Sequence, residues 1–306
     1  MRGRTNSLID LYRLVAAIGI LFYHGFSIKY IPFFSHANLF VDFFFVLTGF
    51  FFGRNIERYR DRTAARSLGG HLWSRLKKMG IPLLIGYICN VVYSIAHPDG
   101  IKILHYLWFI HMMLIVELVI LAMYKILKSN KKRMLIGCAV IFVGASVMYS
   151  LKQFAGLDAM RAVCYLPLGV LLGAIPSIKS LEKSKMAGVI AALLAVVFAV
   201  MFVIAREHSW VIRVIATLIF PLLIYFTMHI DAHIKAFTNF SRLSLWLYIY
   251  QSVPYMLRGF NISSGVLDLA IIIGFVAVTE AIYLILDFKK GKYKPHVERE
   301  KVALNT

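Results

Sequence analysis

Two ionisable side chains, Arg13 and His24, stand in the first apolar run of the sequence, residues 8–28, LIDLYRLVAAIGILFYHGFSI. Their eleven-residue spacing, at ~100° per residue, brings both to within about 20° of one direction on a helix, ~16 Å apart along its axis. A guanidinium offers a planar fork of donors to a carboxylate or phosphate, and a neutral imidazole can take a proton from a hydroxyl. Asp10, one turn before Arg13, is placed to neutralise it while leaving further donors for an anionic group. In the next run Asp42 lies at nearly the depth of His24. The two can meet, either for proton transfer or as a lock between helices. Glu117 lies well inside a later run without a local cation, so it is either protonated packing or faces the bundle interior and meets a cation such as Arg13, and Glu280 is a second isolated acid.

These residues need a membrane scaffold to hold them. The 306 residues are 60% hydrophobic, mean hydropathy is +0.74, and the apolar residues fall in long runs. About ten runs suffice to cross a ~30 Å hydrocarbon core: 8–28, 38–54, 81–97, 104–126, 134–151, 160–177, 186–205, 209–230, 240–260 and 264–287. Continuous runs rather than alternation predict an all-α polytopic membrane protein. The net charge of +19 is read as topology and not as nucleic-acid binding. Apart from Arg13, only Lys29, Lys102, Lys152, Arg161, Arg206, Arg213 and Arg258 fall outside the segments on the amino-terminal side. The positive-inside rule then puts both termini in the cytoplasm. Arg161 and Arg213, near the outer border, are expected to snorkel to water. The basic inner face suits anionic lipid or a phosphorylated ligand, with the polar loop at 55–80 as the place of capture.

Asp42, Gly49 and Gly53 share one stripe of the second run, which would let a neighbouring helix approach closely. Cys89, Cys138 and Cys164 show no CxxC spacing, and His105 and His111 lack a third ligand, so no disulfide framework or metal site is expected.

The run IDLYRLVAAIGILFYH followed by VDFFFVLTGFF resembles the opening of the acyltransferase 3 family, membrane proteins that O-acylate sugars. Arg13, His24 and Asp42 stand at matching positions, with Thr48 where serine is usual and Phe40 where a small residue is common. RLKKMGIP, residues 75–82, is similar to the family's R-x-x-R before a proline-started third span. Arg75 matches the first arginine, while Lys78 keeps the charge of the second without its bidentate geometry. YLWFI, with Trp108, resembles a frequent L-W-F-L segment. The stretch from Ser244 through Tyr248 to Pro254 is similar to a late S-x-x-x-Y-x-x-H-x-P segment, with Gln251 at the histidine position, which removes any titration there.

The resemblance implies a transmembrane acyltransferase domain over residues 1–290 and a basic cytoplasmic tail over 291–306. It further implies acetyl-CoA as donor, no metal, and a surface or lipid-linked glycan as acceptor, in a bacterial inner or plasma membrane. His24 and Asp42 would be catalytic, His24 either as general base or by taking the acyl group itself, and Arg13, Arg75 and Lys78 would hold the phosphates of coenzyme A. Glu117, Trp108, Tyr248 and Gln251 would contact the acceptor. On membrane physics alone, a transporter or flippase using Arg13, His24, Asp42, Glu117 and Glu280 as an ion path is the alternative.

Overall fold

The computed structural model describes residues 6–25, 32–60, 67–96, 107–150, 157–176, 185–204, 209–230, 240–250 and 265–289, with positions 232, 234 and 237. All its elements are helical. They are α1 (Ser7–Gly25), a 3-10 segment (Pro32–Leu39), α2 (Phe40–Asn55), a 3-10 turn (Ile56–Tyr59), α3 (Leu68–Ala96), α4 (Trp108–Ile126), α5 (Lys131–Ser150) and α6 (Leu157–Ala174). Then follow α7 (Lys185–Ile204), α8 (Ser209–Val214), a π-helical segment (Ile215–Ile219), α9 (Phe220–Thr227), α10 (Phe240–Tyr250) and α11 (Gly265–Lys289). Each expected apolar run contains described helix. By length and composition, four stretches are fit to cross a membrane: His36–Asn55, Trp108–Ile126, Lys131–Ser150 and Lys185–Ile204.

The stretch expected as a polar loop departs from that reading. Helix α3 begins at Leu68 and runs through Pro82, where a span starting at the proline was expected. The reason is amphipathic spacing: Leu72, Leu76 and Met79 pack on the core while Ser74, Lys77 and Lys78 face outward. Pro82 removes one backbone donor, a loss that neighbouring helices and local adjustment can accommodate in a membrane helix.

The closest helix pair is α2 with α6. A methyl group at Gly49 would overlap the carbonyl oxygen of Leu166, and one at Gly53 that of Val170. Reciprocally, methyl groups at Gly169 and Gly173 would overlap the carbonyls of Val46 and Phe50. The contacts advance in the same sense along both chains, so the two helices run parallel, backbone against backbone, on paired Gly-x-x-x-Gly motifs. The glycine stripe expected in α2 therefore meets a second one, in α6.

Helix α1 is fixed at its start. Asn6 caps it, its Oδ1 accepting from the N–H of Leu8 at 3.0 Å. The amide nitrogen of the same side chain donates to the carbonyls of Thr227 and Ile230, both at 2.8 Å. Ser7 completes the clasp: its N–H donates to Ala232 O, and its Oγ accepts from the N–H of Ile234 at 2.8 Å. This ties α1 to the end of α9 and sets the register of Arg13. Cys89, Cys138 and Cys164 are unpaired and buried, in keeping with the packing role expected of them.

Candidate active site

Helix α1 is continuous from Asp10 past Arg13 to His24, so the spacing worked out for these residues holds along one rod. Arg13 Nη1 donates to Asp10 Oδ1 at 3.2 Å, and its guanidinium lies over the ring of Phe51, 5.2 Å from the centroid. The charge of Arg75 acts on Arg13 across the gap between α1 and α3. The two arginines expected to share a ligand are therefore electrostatic neighbours.

Glu117 does not meet Arg13, its expected partner; it meets Arg75 and His71. It is fully buried in α4, and both its oxygens are taken by α3. Arg75 Nε donates to Oε2 at 3.0 Å and Nη2 donates to Oε1, while His71 Nε2 lies 2.9 Å from Oε2. His71 Nδ1 in turn pairs with the Tyr59 hydroxyl at 2.8 Å. His71 and Arg75 are one turn apart on α3, hence on one face. The extension of α3 below Pro82 is what makes this cluster, and His71 and Tyr59 were not singled out in the sequence because that stretch read as loop. Arg75 uses its Nε–Nη2 edge for Glu117 and remains 31% exposed, so the Nη1–Nη2 edge is a second fork with phosphate geometry. Lys78 lies exposed on the same helix.

At the other end of α2, Asp42 is held by Arg161. Arg161 Nε donates to Asp42 Oδ1 at 2.7 Å, Nη2 donates to Asn38 O at 2.6 Å, and Nη1 lies 3.5 Å from Asp158. Arg161 is 7% exposed, which corrects the expectation that it snorkels to water: the parallel pairing of α2 with α6 carries it inward onto a carboxylate. The His24 side chain, and with it any meeting with Asp42, lies outside the described residues.

Trp108 and Tyr248 join one aromatic group. The ring of Phe109 lies 4.8 Å from Tyr248 and 4.5 Å from Phe45, which packs on Trp108 at 6.0 Å. Gln251 and His105 lie outside the described residues. His111 pairs with the hydroxyl of Tyr87, and among the described residues no group of three metal-ligating side chains occurs. Glu280, expected as a lone acid, is paired with Arg242, whose guanidinium also covers the ring of Trp246.

The arrangement thus has a cationic fork on one side of α1's middle and a held carboxylate near the opposite end. No curated protein and no solved structure matches the chain. A family model described as an acyltransferase domain matches residues 6–286, nearly the whole length. The chain is a membrane acyltransferase by kinship: it belongs to the acyltransferase 3 family.

Proposed function

We propose that the protein transfers an acyl group, acetyl by family habit, from acyl-CoA to a hydroxyl of a cell-surface or lipid-linked glycan. The observation that carries this reading is helix α1 running unbroken from Arg13 to His24, with the charge of Arg75 acting on Arg13. In this reading the ten apolar runs are spans, both termini are cytoplasmic, and the membrane is that of a bacterial cell.

The two guanidinium groups take the diphosphate of the donor. Glu117 positions Arg75 and does not touch the acceptor: its side-on grip presents the remaining fork of the guanidinium in one orientation. The ~16 Å between Arg13 and His24, from helix rise, is spanned by the extended pantetheine arm. His24 takes the proton of the sugar hydroxyl as its oxygen attacks the thioester carbonyl. The tetrahedral intermediate collapses, the carbon–sulfur bond breaks, and the thiolate leaves with the proton returned by the imidazole. Asp42, fixed by Arg161, orients His24. Trp108 and Tyr248 give the sugar an apolar face to stack on, with Gln251 donating to a hydroxyl.

The test is transfer of label from radiolabelled acetyl-CoA in inside-out vesicles supplied with native acceptor, comparing wild type with Arg13→Ala and His24→Ala at matched expression. Base-labile label in the glycan fraction with wild type alone supports the assignment. Equal label in all three removes both residues from the mechanism, and no label in any overturns the reading.

A further inference from the structure

At the carboxyl-terminal end of α4 lies a cavity of about 480 Å³, lined by Glu57, Arg60, Tyr124, Lys128, Lys131 and the turn between them. We infer that this cavity is a second anion subsite, which takes the terminal phosphate monoester, the 3′-phosphate, of the coenzyme A donor. The inference rests on the proposed acyl-CoA reaction.

Its charge is one-sided. Arg60, Lys128 and Lys131 line the space against one acid, Glu57, whose Oε1 is 3.3 Å from Lys131. Helix α5 begins Lys131, Lys132, Arg133 with no acidic residue in its first turn. Three cations thus stand at the positive end of the helix dipole, where cations are disfavoured and an anion is stabilised. The turn itself holds Lys128 and Ser129 at φ of 55° and 56°, a left-handed backbone that costs free energy for any residue with a Cβ. Lys128 and Ser129 both line the cavity. A phosphate monoester would offset all of these positive groups together.

Its position relative to Arg75 fits one nucleoside. Tyr124, on the cavity wall, follows Glu117 by seven residues in α4. The two therefore share a helix face at ~10 Å separation along the axis. Glu117 grips Arg75. Tyr59 links the two places: its hydroxyl pairs with His71 of the buried cluster, and its carbonyl accepts from Lys125 Nζ beside the turn. With the diphosphate on Arg13 and Arg75, the ribose extends toward the inner face and its 3′-phosphate reaches the cavity.

The experiment measures binding of acetyl-CoA and acetyl-3′-dephospho-CoA to the full-length protein in phosphatidylcholine nanodiscs, for wild type, Arg60→Gln, Lys128→Gln and Arg75→Gln. Wild type is expected to favour acetyl-CoA by roughly tenfold or more, the range of one or two charge-assisted hydrogen bonds. Arg60→Gln and Lys128→Gln should bring the ratio toward one by weakening acetyl-CoA alone, whereas Arg75→Gln weakens both donors and keeps the ratio. Equal affinity of wild type for the two donors overturns the subsite and leaves the donor assignment standing. Failure of wild type to bind either donor overturns the donor assignment itself. A wild-type ratio that both cavity variants retain, with their co-purifying phosphatidic acid reduced instead, assigns the cavity to a lipid headgroup and overturns the inference.

Discussion

Glu117→Gln tests the central cluster with little change of shape. The carboxylate accepts from Nε and Nη2 of Arg75 and meets Nε2 of His71 at full burial. A carboxamide of the same size presents one oxygen and one NH2 group, so one edge of the Arg75 fork faces donors instead of an acceptor. Losing one partner of a fully buried pair costs about 3–5 kcal/mol. Arg75, however, is 31% exposed, and the hydration it keeps argues for a cost nearer ~2 kcal/mol. Two readouts follow. In detergent the variant should lose thermal stability, and in the vesicle assay the KM for acetyl-CoA should rise roughly tenfold to thirtyfold, as ~1.4–2 kcal/mol of lost donor binding implies. The kcat should stay within about threefold, because in the proposed reaction Glu117 acts through Arg75 and not on the thioester or the hydroxyl. Since Glu117 acts through Arg75, its effect should vanish in an Arg75→Ala background: the double variant should match Arg75→Ala alone. Additive effects on KM, or a KM unchanged by Glu117→Gln while Arg75→Ala raises it, would refute the positioning argument.

The other predictions concern the scaffold. Gly49→Leu or Gly169→Leu places a side chain on the facing backbone of α2 and α6 and should abolish monodisperse protein by size exclusion, whereas Gly144→Ala, which opens onto empty space, should be neutral. Asp42→Asn leaves buried Arg161 with only the more exposed Asp158 as charge partner, at 3.5 Å, and should destabilise by about 3 kcal/mol. Asp42→Leu with Arg161→Met should recover most of that stability while remaining inactive; activity in the double variant would remove Asp42 from catalysis. Tyr59→Phe deletes one hydrogen bond to His71, at about 1 kcal/mol, and should raise KM less than Glu117→Gln in the same assay.

The helical class, the succession of apolar runs and the α1 register were legible because they depend on local periodicity. Arg13 and His24 share a face on helix geometry alone, and the glycine stripe of α2 announced a close neighbour. What stayed hidden was which helix answers which. Arg161 sits near a border in sequence, and nothing local says that α6 turns it onto Asp42 119 positions away. Glu117 demanded a cation, yet the choice of Arg75 over Arg13 depends on a helical extension masked by the polar composition of residues 68–80. The Gly169-x-x-x-Gly173 motif was in plain view in α6, but it acquires meaning only when set against Gly49 and Gly53.

Under the proposed reaction, the two interhelical ion pairs would let α1 carry chemistry without holding it alone. Arg13 has a local neutraliser one turn away in Asp10, a contact that any rotation of α1 would carry along and that therefore fixes nothing beyond the helix. Arg75 and Asp42 are different, since each is bound to a residue from another helix: Glu117 of α4 and Arg161 of α6. Both locks are anchored on a core in which α2 and α6 touch through their backbones and cannot slide without steric overlap. The charge that the proposed reaction sets beside His24, Asp42, is thereby held within the α2–α6 pair, and Arg75 is held to α4. Under the proposed reaction, preorganisation of this kind would lower the reorganisation left for the chemical step, and the rigid glycine contact, remote from any reacting atom, would help keep the donor and acceptor ends in register.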